Sequence, residues 1–291
     1  MNKNMTALMS AFVRIYHSKN SNIKIYNDKY GDKIITTEEY HSISEKLTNG
    51  IKFFNPEYQG NNPLKWIVNN NLAPAVLARS SFNEKHLLNE INLGLKQYVI
   101  LATGYDTSSF KFNNVLKVFE LDKKEMIEDK LERINNAKLD TTDINYISVD
   151  FATDWVNSLI ENKNYDSSVK TFCSLLGISY YLEKSTFKNI IKEISKIIPS
   201  GSTILFDYPN IFETNKEKIN KQLAQEANEE MKSVYSYNAI EKIAESCNML
   251  VYEHLDYNDI NNMFFYNYNT INPSNKIIAS KGVSYVYLVK Q

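Results

Sequence analysis

Hydrophobic and polar residues follow two different patterns along this chain, and the change falls near residue 96. Before that point apolar residues recur at helical spacing, for example at Leu8, Phe12 and Tyr16. Residues 36–47 open with threonine followed by acids, which is typical of a capping box at the start of a helix. After a loop over 53–63, helical spacing returns over 64–71 and 76–95. The first 95 residues are therefore predicted to form a helical cap.

From residue 98 onward, short apolar runs alternate with amphipathic stretches, which is the pattern of strands separated by helices. The predicted strands cover 98–103, 117–122, 145–150, 171–176 and 203–208, with helices over 123–137, 155–161 and 184–198 between them. Strands that are apolar along their whole length are buried on both faces. They predict an α/β fold in which a parallel sheet is covered by helices on both sides.

The pattern changes again after residue 209. A charged amphipathic helix is predicted over 214–231 and another over 236–247, followed by alternating strands over 249–255 and 283–289. A terminal strand pair predicts an antiparallel addition to the sheet. Five parallel strands plus such a pair is the Rossmann-like layout of class I methyltransferases, whereas a nicotinamide-binding Rossmann domain more often continues with a sixth parallel strand.

These elements predict one domain of 291 residues in four parts. A cap covers 1–95, a cofactor-binding α/β core covers 96–209, a helical insertion or lid covers 210–235, and a helix with the strand pair covers 236–291. The Asn-rich connection over 258–280 is predicted to be either a flexible rim or a contact in a homo-oligomer.

Two strand ends carry the residues that point to a ligand. The first strand runs into a turn with Ala102, Thr103 and Gly104, and the second ends at Glu120-Leu-Asp122. A glycine in such a turn lets the backbone come close to a ligand. An acid at the end of the second strand is well placed to accept the ribose hydroxyls of a nucleoside cofactor. The pair therefore indicates an enzyme that depends on such a cofactor.

Composition excludes several other classes of protein. The net charge is −1 and basic residues form no stripe, so nucleic acid is not an expected partner. No apolar run approaches the ~20 residues of a membrane span. The two cysteines, Cys173 and Cys247, lie in apolar surroundings and fit a reduced, cytoplasmic setting. The first residues lack the apolar segment of a signal peptide. The four histidines are scattered without the spacing of metal ligands, so no metal site is expected.

Five motifs in order resemble the leucine carboxyl methyltransferase-like family, a mostly bacterial group of S-adenosylmethionine-dependent O-methyltransferases. The matching motifs are Leu77-Ala-Arg79-Ser-Ser-Phe82, Leu101-Ala-Thr-Gly104-Tyr-Asp106-Thr107-Ser108, Glu120-Leu-Asp122, Asp150-Phe151 before Trp155, and Gly177-Ile-Ser-Tyr-Tyr181-Leu182. The resemblance runs from about residue 5 to the C-terminus. It implies the class I methyltransferase fold and S-adenosyl-L-methionine as cofactor.

The resemblance also implies roles for individual residues. Arg79 would pair with the cofactor's carboxylate, since a guanidinium suits a bidentate contact. Gly104 would let the turn approach the methionyl part, and Asp122 would accept the ribose hydroxyls, with Glu120 as second choice. Asp150 would accept the adenine amino group, with Phe151 as an apolar wall. A looser match gives Arg14 a contact with the carboxylate.

The chain departs from the family pattern at the fourth motif. Where the family has a glutamate before the glycine, this chain has Leu176, and Ser108 stands in place of the usual arginine. The cofactor's ammonium must then be held by other groups, for which backbone carbonyls near Thr103 or the hydroxyl of Ser174 are candidates. Two rival interpretations stay open: a methyltransferase fold that binds without catalysis, and a nicotinamide-dependent oxidoreductase.

Methyl transfer asks little of the protein beyond alignment and the exclusion of water. A carboxylate acceptor needs no general base, whereas a hydroxyl acceptor does. If a base exists, His17, Tyr16 and the Asp207-Tyr208 pair at the end of the fifth strand are the candidates. The expected partner is a small-molecule methyl acceptor, bound under the cap and the insertion over 214–231. Tyr16, Tyr208, Tyr235 and Tyr237 are predicted to line its pocket.

Overall fold

A seven-stranded sheet forms the centre of the computed structural model, which describes residues 5–153, 155–212, 215–226 and 230–291. The strand order is β3-β2-β1-β4-β5-β7-β6. The strands are β1 (Gln97–Leu101), β2 (Lys117–Asp122), β3 (Ile144–Ser148), β4 (Thr171–Leu175), β5 (Thr203–Pro209), β6 (Met249–Leu255) and β7 (Val283–Lys290). Each predicted strand is present, with its ends shifted by two residues at most.

The directions of the strands confirm the predicted layout. Strands β1 to β5 pair in parallel, while β7 lies between β5 and β6 and runs antiparallel to both. The place beside β5, where a nicotinamide-binding Rossmann domain would have another parallel strand, is thus taken by an antiparallel one. Strand order reverses between β1 and β4, so a crevice opens at the carboxyl ends of these two strands, where ligands bind in open α/β sheets.

Helices cover both faces of the sheet. In chain order they are α1 (Met5–Asn20), α2 (Gly31–Ile34), α3 (Thr37–Asn49), α4 (Ile51–Phe54), α5 (Pro63–Ile67), α6 (Ala73–Asn92), α7 (Ser109–Phe112), α8 (Lys124–Ala137), α9 (Val156–Ile160), α10 (Lys184–Ile197), α11 (Asn215–Glu226), α12 (Tyr237–Ser246), α13 (Tyr257–Ile260) and α14 (Tyr266–Ile271). The predicted capping box is confirmed at α3, where Thr36 accepts from the Glu39 N–H and the Glu39 side chain accepts from the Thr36 N–H. No described helix is both long enough and apolar enough to cross a bilayer.

The sheet separates two apolar cores. On one face the cap packs directly on the strands, and the rings of Phe82 in α6 and Tyr285 in β7 stack with centroids 5.6 Å apart. On the other face Phe187 of α10 meets Phe206 of β5 edge to face at 5.2 Å. The first core joins residues of the cap to residues of the sheet, so the cap is part of the same packed body.

Two segments differ from the sequence-based prediction. The helices expected over 64–71 and 76–95 form one continuous run, because the π-helical turn Val68–Leu72 joins α5 to α6. The Asn-rich connection is largely helical: α13, the π-helical turn Asn261–Phe265 and α14 follow one another. Asp256 starts this run by accepting the N–H groups of Asn258 and Asp259. The helix predicted over 214–231 lies partly outside the described residues, which show α11 (Asn215–Glu226).

Candidate cofactor and acceptor site

The turn after β1 is held in a left-handed conformation by contacts to the neighbouring strand. Ala102 has φ of 57° and Gly104 has φ of 48°. The Thr103 N–H donates to the Leu121 carbonyl at 3.1 Å, and the Gly104 N–H donates to Asp122 Oδ2 at 2.8 Å. A Cβ on residue 104 would lie 3.2 Å from the Cβ of Ala7 in α1. Glycine here serves both the turn and the close approach of the cap.

Asp122 occupies the predicted position at the end of β2 and lines the cavity described below. Its two carboxylate oxygens each accept one backbone N–H, from Gly104 and from Lys123, both at 2.8 Å. Burial raises the pKa of Asp122, although these two N–H groups and the charge of Lys130 oppose the rise. Each oxygen keeps a lone pair, which suits acceptance of hydroxyl groups from a ligand.

Arg79 of α6 lies at the ends of β4 and β5. Its Nη1 is 3.4 Å from Asp207 Oδ2 and its Nη2 donates to Ser10 Oγ at 3.2 Å. Burial alone would lower the pKa of Arg79, but the charge of Asp207 raises it above the usual value. The guanidinium lies against the α-carbon of Gly177, where an added Cβ would be 2.6 Å from Nη1. Gly177 thus leaves room for the arginine, and Arg79 keeps donors for an anionic ligand.

Asp207 holds this end of the site together. Its carboxylate is fully buried and accepts from the Gly177 N–H at 2.6 Å and from the Tyr180 hydroxyl at 3.0 Å. A buried carboxylate with one cationic and two neutral partners fixes the position of each of them. Sequence patterns indicated Asp207 only as a candidate base, and the structure shows it as the anchor of Arg79.

A cavity of about 1530 Å³ connects these groups. A pocket for one small molecule usually measures roughly 300–1000 Å³, so the cavity has room for a cofactor together with a second molecule. Its walls come from the cap, the carboxyl ends of β1, β2 and β4, the segment after β5 and the lid. The apolar part of the lining includes Ile43, Leu47, Phe53, Phe54, Leu72, Val76, Leu176, Ile178, Tyr180, Tyr181, Ile211, Phe212, Leu223, Met231, Val234 and Val283.

Four other residues named from the sequence also line this cavity: Arg14, Thr103, Ser174 and Leu176. The hydroxyl of Ser174 lies 2.9 Å from the Tyr98 hydroxyl, and that of Thr103 donates to Glu120 Oε2 at 2.9 Å. The Thr103 carbonyl accepts from the Asp106 N–H at 2.9 Å. Leu176 forms part of the wall beside Gly177. Arg14 reaches the cavity as well, but its Nε is 2.9 Å from Asp28 Oδ2 and its Nη2 donates to the Tyr105 carbonyl at 2.6 Å.

Glu120, the second choice for the ribose hydroxyls, is not among the described residues that line the cavity. Its side chain is fully buried, and its Oε2 is 2.5 Å from Nζ of Lys130, which is equally buried. Lys130 also donates to the Thr103 hydroxyl at 2.8 Å and the Asp106 carbonyl at 2.7 Å. Because the carboxylate is sealed from the cavity, Glu120 forms a structural ion pair under the glycine turn.

Asp150 and Phe151 do not border the cavity among the described residues. Asp150 is exposed and its Oδ1 accepts from the Ala152 N–H at 2.9 Å. Phe151 is buried and packs edge to face on Trp155, with ring centroids 5.2 Å apart. This arrangement does not place either side chain for the predicted contact with adenine. Asp150 caps its own loop, and Phe151 packs in the core.

The three weak catalytic candidates lie away from the cavity. The buried ring of His17 uses both nitrogens, because Nε2 accepts from the Ile25 N–H at 2.9 Å and Nδ1 is 3.1 Å from Ser21 Oγ. Burial and the nearby Lys24 lower the pKa of His17 to about 4. Burial raises the pKa of both Tyr16 and Tyr208 to about 12. The Tyr208 hydroxyl lies 3.0 Å from His254 Nε2 on the other face of the sheet. None of the three is among the described residues that line the cavity.

The tyrosines expected in the acceptor pocket are also different ones. Tyr16, Tyr208 and Tyr235 are buried in the cores, and Tyr237 is at the surface with its ring 4.4 Å from that of His254. Tyr180 and Tyr181 line the cavity instead. They belong to the motif after β4, but the sequence did not single them out as lining residues.

Two comparisons with known sequences agree with each other. The sequence profile of the leucine carboxyl methyltransferase family matches residues 7–195. YktD of Bacillus subtilis, which carries the provisional name of an S-adenosyl-L-methionine-dependent methyltransferase, is 34% identical over 303 aligned positions, covering 99% of this chain and 98% of that protein.

Two solved structures are similar in fold. A DUF574-family protein of Streptomyces avermitilis aligns with a TM-score of 0.61 at 13% identity over 97% of each chain. A protein of Thermobifida fusca, provisionally named a methyltransferase, aligns with a TM-score of 0.55 at 12% identity over 94% of this chain and 96% of its own. At such low identity these two likenesses support the fold alone.

Proposed function

The chain belongs to the leucine carboxyl methyltransferase family, and on that basis we propose that it methylates an oxygen atom of a small molecule, with a carboxylate as the preferred acceptor. Dependence on S-adenosyl-L-methionine and methyl transfer belong to the family as a whole. The choice of oxygen and of carboxylate is the finer step, and it depends on the lining of the cavity.

One observation carries the proposal: a single cavity joins Asp122, the left-handed turn at Gly104 and Arg79 at the point where the strand order reverses. These groups complement the ribose and the amino-acid part of the cofactor. The carboxylate of Asp122 suits ribose hydroxyls, the turn offers close backbone approach, and Arg79 offers charged donors for the amino-acid carboxylate. When bound, S-adenosyl-L-methionine supplies an electrophilic methyl group on its sulfonium.

The lining of the cavity favours a carboxylate acceptor over a hydroxyl. None of the described lining residues is a histidine, and the hydroxyl of the lining Tyr180 donates to Asp207. Burial and the charge of Asp207 raise the pKa of Tyr180 well above its usual value, so it is a poor base. A carboxylate forms its O–C bond as the C–S bond breaks, with no proton to remove, and the thioether leaves uncharged. The protein then contributes the alignment of the two reactants and the exclusion of water.

Titration calorimetry with S-adenosyl-L-methionine, and separately with S-adenosylhomocysteine, tests the cofactor site. We expect Asp122→Asn to weaken both at least tenfold, since the substitution removes the charge that strengthens acceptance of two hydroxyls. Asp143→Asn is the matched control. Asp143 pairs with Lys117 at 3.4 Å, at the amino-terminal ends of β2 and β3 and thus far from the cofactor site. Equal affinities for the Asp122 and Asp143 variants would contradict the assignment.

A methyl-labelled cofactor tests the acceptor atom. Carboxylic acids, phenols and alcohols of similar size are offered in parallel, and label in the product is counted before and after treatment with base. Methyl esters release the label as methanol, whereas methyl ethers keep it. Base-stable label would refute the preference for carboxylate. Binding without transfer to any acceptor would favour the non-catalytic interpretation, which the presence of Leu176 in place of an acid supports.

A further inference from the structure

Asn71 is a buried polar residue in the cavity wall that the cofactor site does not use. It lies in the π-helical turn Val68–Leu72, and π-turns within helices are frequent at functional sites. The residue is 7% exposed, yet it borders the cavity. Its Oδ1 has no hydrogen-bond partner among the described residues. A buried amide oxygen without a partner costs roughly 1–3 kcal/mol.

The side-chain amides of the two neighbouring asparagines in this turn are engaged within the fold. Asn69 donates from Nδ2 to the Asn275 carbonyl at 3.1 Å, and Asn70 donates from Nδ2 to the Trp66 carbonyl at 2.9 Å. Both amides therefore hold the fold together. The Asn71 side-chain oxygen, by contrast, has no hydrogen-bond partner among the described residues, although the residue borders the cavity.

The helix geometry locates Asn71 relative to the cofactor end of the cavity. Asn71, Ala75 and Arg79 follow each other at spacing of four, and all three line the cavity, so they mark one face of the run into α6. Eight residues at 1.5 Å rise place Asn71 about 12 Å along the helix from Arg79. The wall around the cavity's cap side is apolar, with Leu47, Phe54 and Leu72 among its residues.

Resting on the proposed function, we propose that Asn71 recognises an uncharged hydrogen-bond donor at the far end of an elongated, otherwise apolar carboxylic acid. The carboxylate would lie near the strand ends and its apolar body along the cap. The distal donor, such as a hydroxyl, would satisfy Asn71 Oδ1. A site built to bind a hydroxyl discriminates against the analogue that lacks it, because the buried amide is then left without a partner.

The test compares ω-hydroxyalkanoates of medium chain length with the matching alkanoates. Their binding to protein saturated with S-adenosylhomocysteine is measured by calorimetry. We expect the hydroxy acid of the best-fitting length to bind about tenfold more tightly than its alkanoate. Asn71→Leu, which keeps the number and branching of the side-chain heavy atoms and removes the oxygen, is expected to abolish this difference. Asn89→Leu, the same change at an exposed position of α6, is the matched control and is expected to preserve it.

Further readouts separate recognition from a structural role. Asn71→Leu is expected to keep the affinity for S-adenosylhomocysteine and to leave the urea midpoint unchanged or higher, since it removes an unsatisfied buried oxygen. If Asn71→Leu misfolds, Asn71→Ser replaces it and is expected to reduce the preference. Equal binding of both series, a preference that survives in Asn71→Leu, or no binding of either series overturns the inference. The cofactor titration and the labelled-methyl experiment still judge the proposed function independently.

Discussion

At the scale of single residues, the turn after β1 holds a non-glycine residue in an unfavourable backbone conformation, and a substitution could relieve it. Ala102 has φ of 57°, and a residue with a Cβ loses roughly 1–2 kcal/mol in that region. We predict that Ala102→Gly raises the free energy of unfolding by about 1 kcal/mol, measured by urea denaturation. Gly104→Ala is the opposite change in the same turn, and is expected to lower it because the new Cβ meets Ala7. A lower urea midpoint for Ala102→Gly would contradict the idea that the left-handed conformation of Ala102 destabilises the fold.

His17 gives a second residue-scale prediction, which concerns pH. Its pKa is lowered to about 4 in the folded chain, against an ordinary value near 6.5 when unfolded. The unfolded state therefore binds the proton first as pH falls. The stability contributed by neutral His17 is present above pH 6.5 and is lost between about 6.5 and 4, by about 3 kcal/mol in total. Urea unfolding across this range checks it, with His17→Gln expected to flatten the decline; an identical pH profile in that variant would refute the role.

Some site residues were predictable because the local sequence indicates where a residue lies in a strand. It does not indicate which distant side chains that residue contacts. Apolar periodicity places Asp122 at the end of β2 and Gly104 in the turn, where the structure has them. Alternation alone treats Glu120 like Asp122. Only the fold brings Lys130, one helix later, to within 2.5 Å of Glu120 and seals both from the cavity. His17 likewise became structural through the Ile25 N–H, a contact that spacing does not reveal.

At the scale of elements, a buried ionic network fastens the cap to the glycine turn. Asp28 Oδ2 pairs with Arg14 Nε at 2.9 Å, and Asp28 Oδ1 accepts from the Thr107 hydroxyl at 2.6 Å. We predict that Asp28→Asn lowers the free energy of unfolding by about 3 kcal/mol, since it leaves the buried Arg14 charge without a counterion. Thr107→Val removes a single hydrogen bond and is expected to cost about 1 kcal/mol. Urea denaturation measures both.

The same network connects the cap to the turn of the cofactor site, so its loss should also change the affinity for the cofactor product. Asp28 is not among the described residues that line the cavity, yet Asp28→Asn is expected to weaken the binding of S-adenosylhomocysteine several-fold. The turn would lose its support at Thr107 and at the Tyr105 carbonyl, which Arg14 Nη2 holds. Unchanged affinity in a destabilised Asp28→Asn protein would show that the turn keeps its shape without the cap.

Periodicity predicted the type of an element correctly where the pattern of burial was regular. It did not do so where a helix cap and tertiary packing determined the structure. Strands β1, β4 and β5 are buried along their whole length, and the apolar runs predicted their ends to within two residues. The region from Tyr257 to Ile271 is rich in Asn and Tyr, which have modest helix propensity, and its sequence did not predict a helix. The Asp256 cap and the packing of Phe265 and Tyr268 in the core made it helical. Tertiary burial there outweighed propensity.

At the scale of the whole molecule, the cap and the sheet are expected to unfold together. The chain has two tryptophans, and they report on opposite sides: Trp66 lies in α5 of the cap, and Trp155 precedes α9 in the second core. Between them, one core joins Phe12 and Phe82 of the cap to Phe172 and Tyr285 of the sheet. Removing the cap would expose that whole sheet face to water, so neither part has a complete core alone.

Single-tryptophan variants test this cooperativity. In Trp66→Phe the fluorescence reports on Trp155, and in Trp155→Phe it reports on Trp66. Within each variant we predict that the fluorescence and the far-ultraviolet circular dichroism give coincident urea transitions, as one cooperative unit requires. The midpoint of Trp155→Phe itself should be lower, because that ring is 2% exposed and its truncation leaves a cavity. A Trp66 signal that changes at lower urea than the circular dichroism would mean that the cap opens first. The acceptor cavity would then be assembled from two units of unequal stability, and binding there would carry the cost of closing the cap.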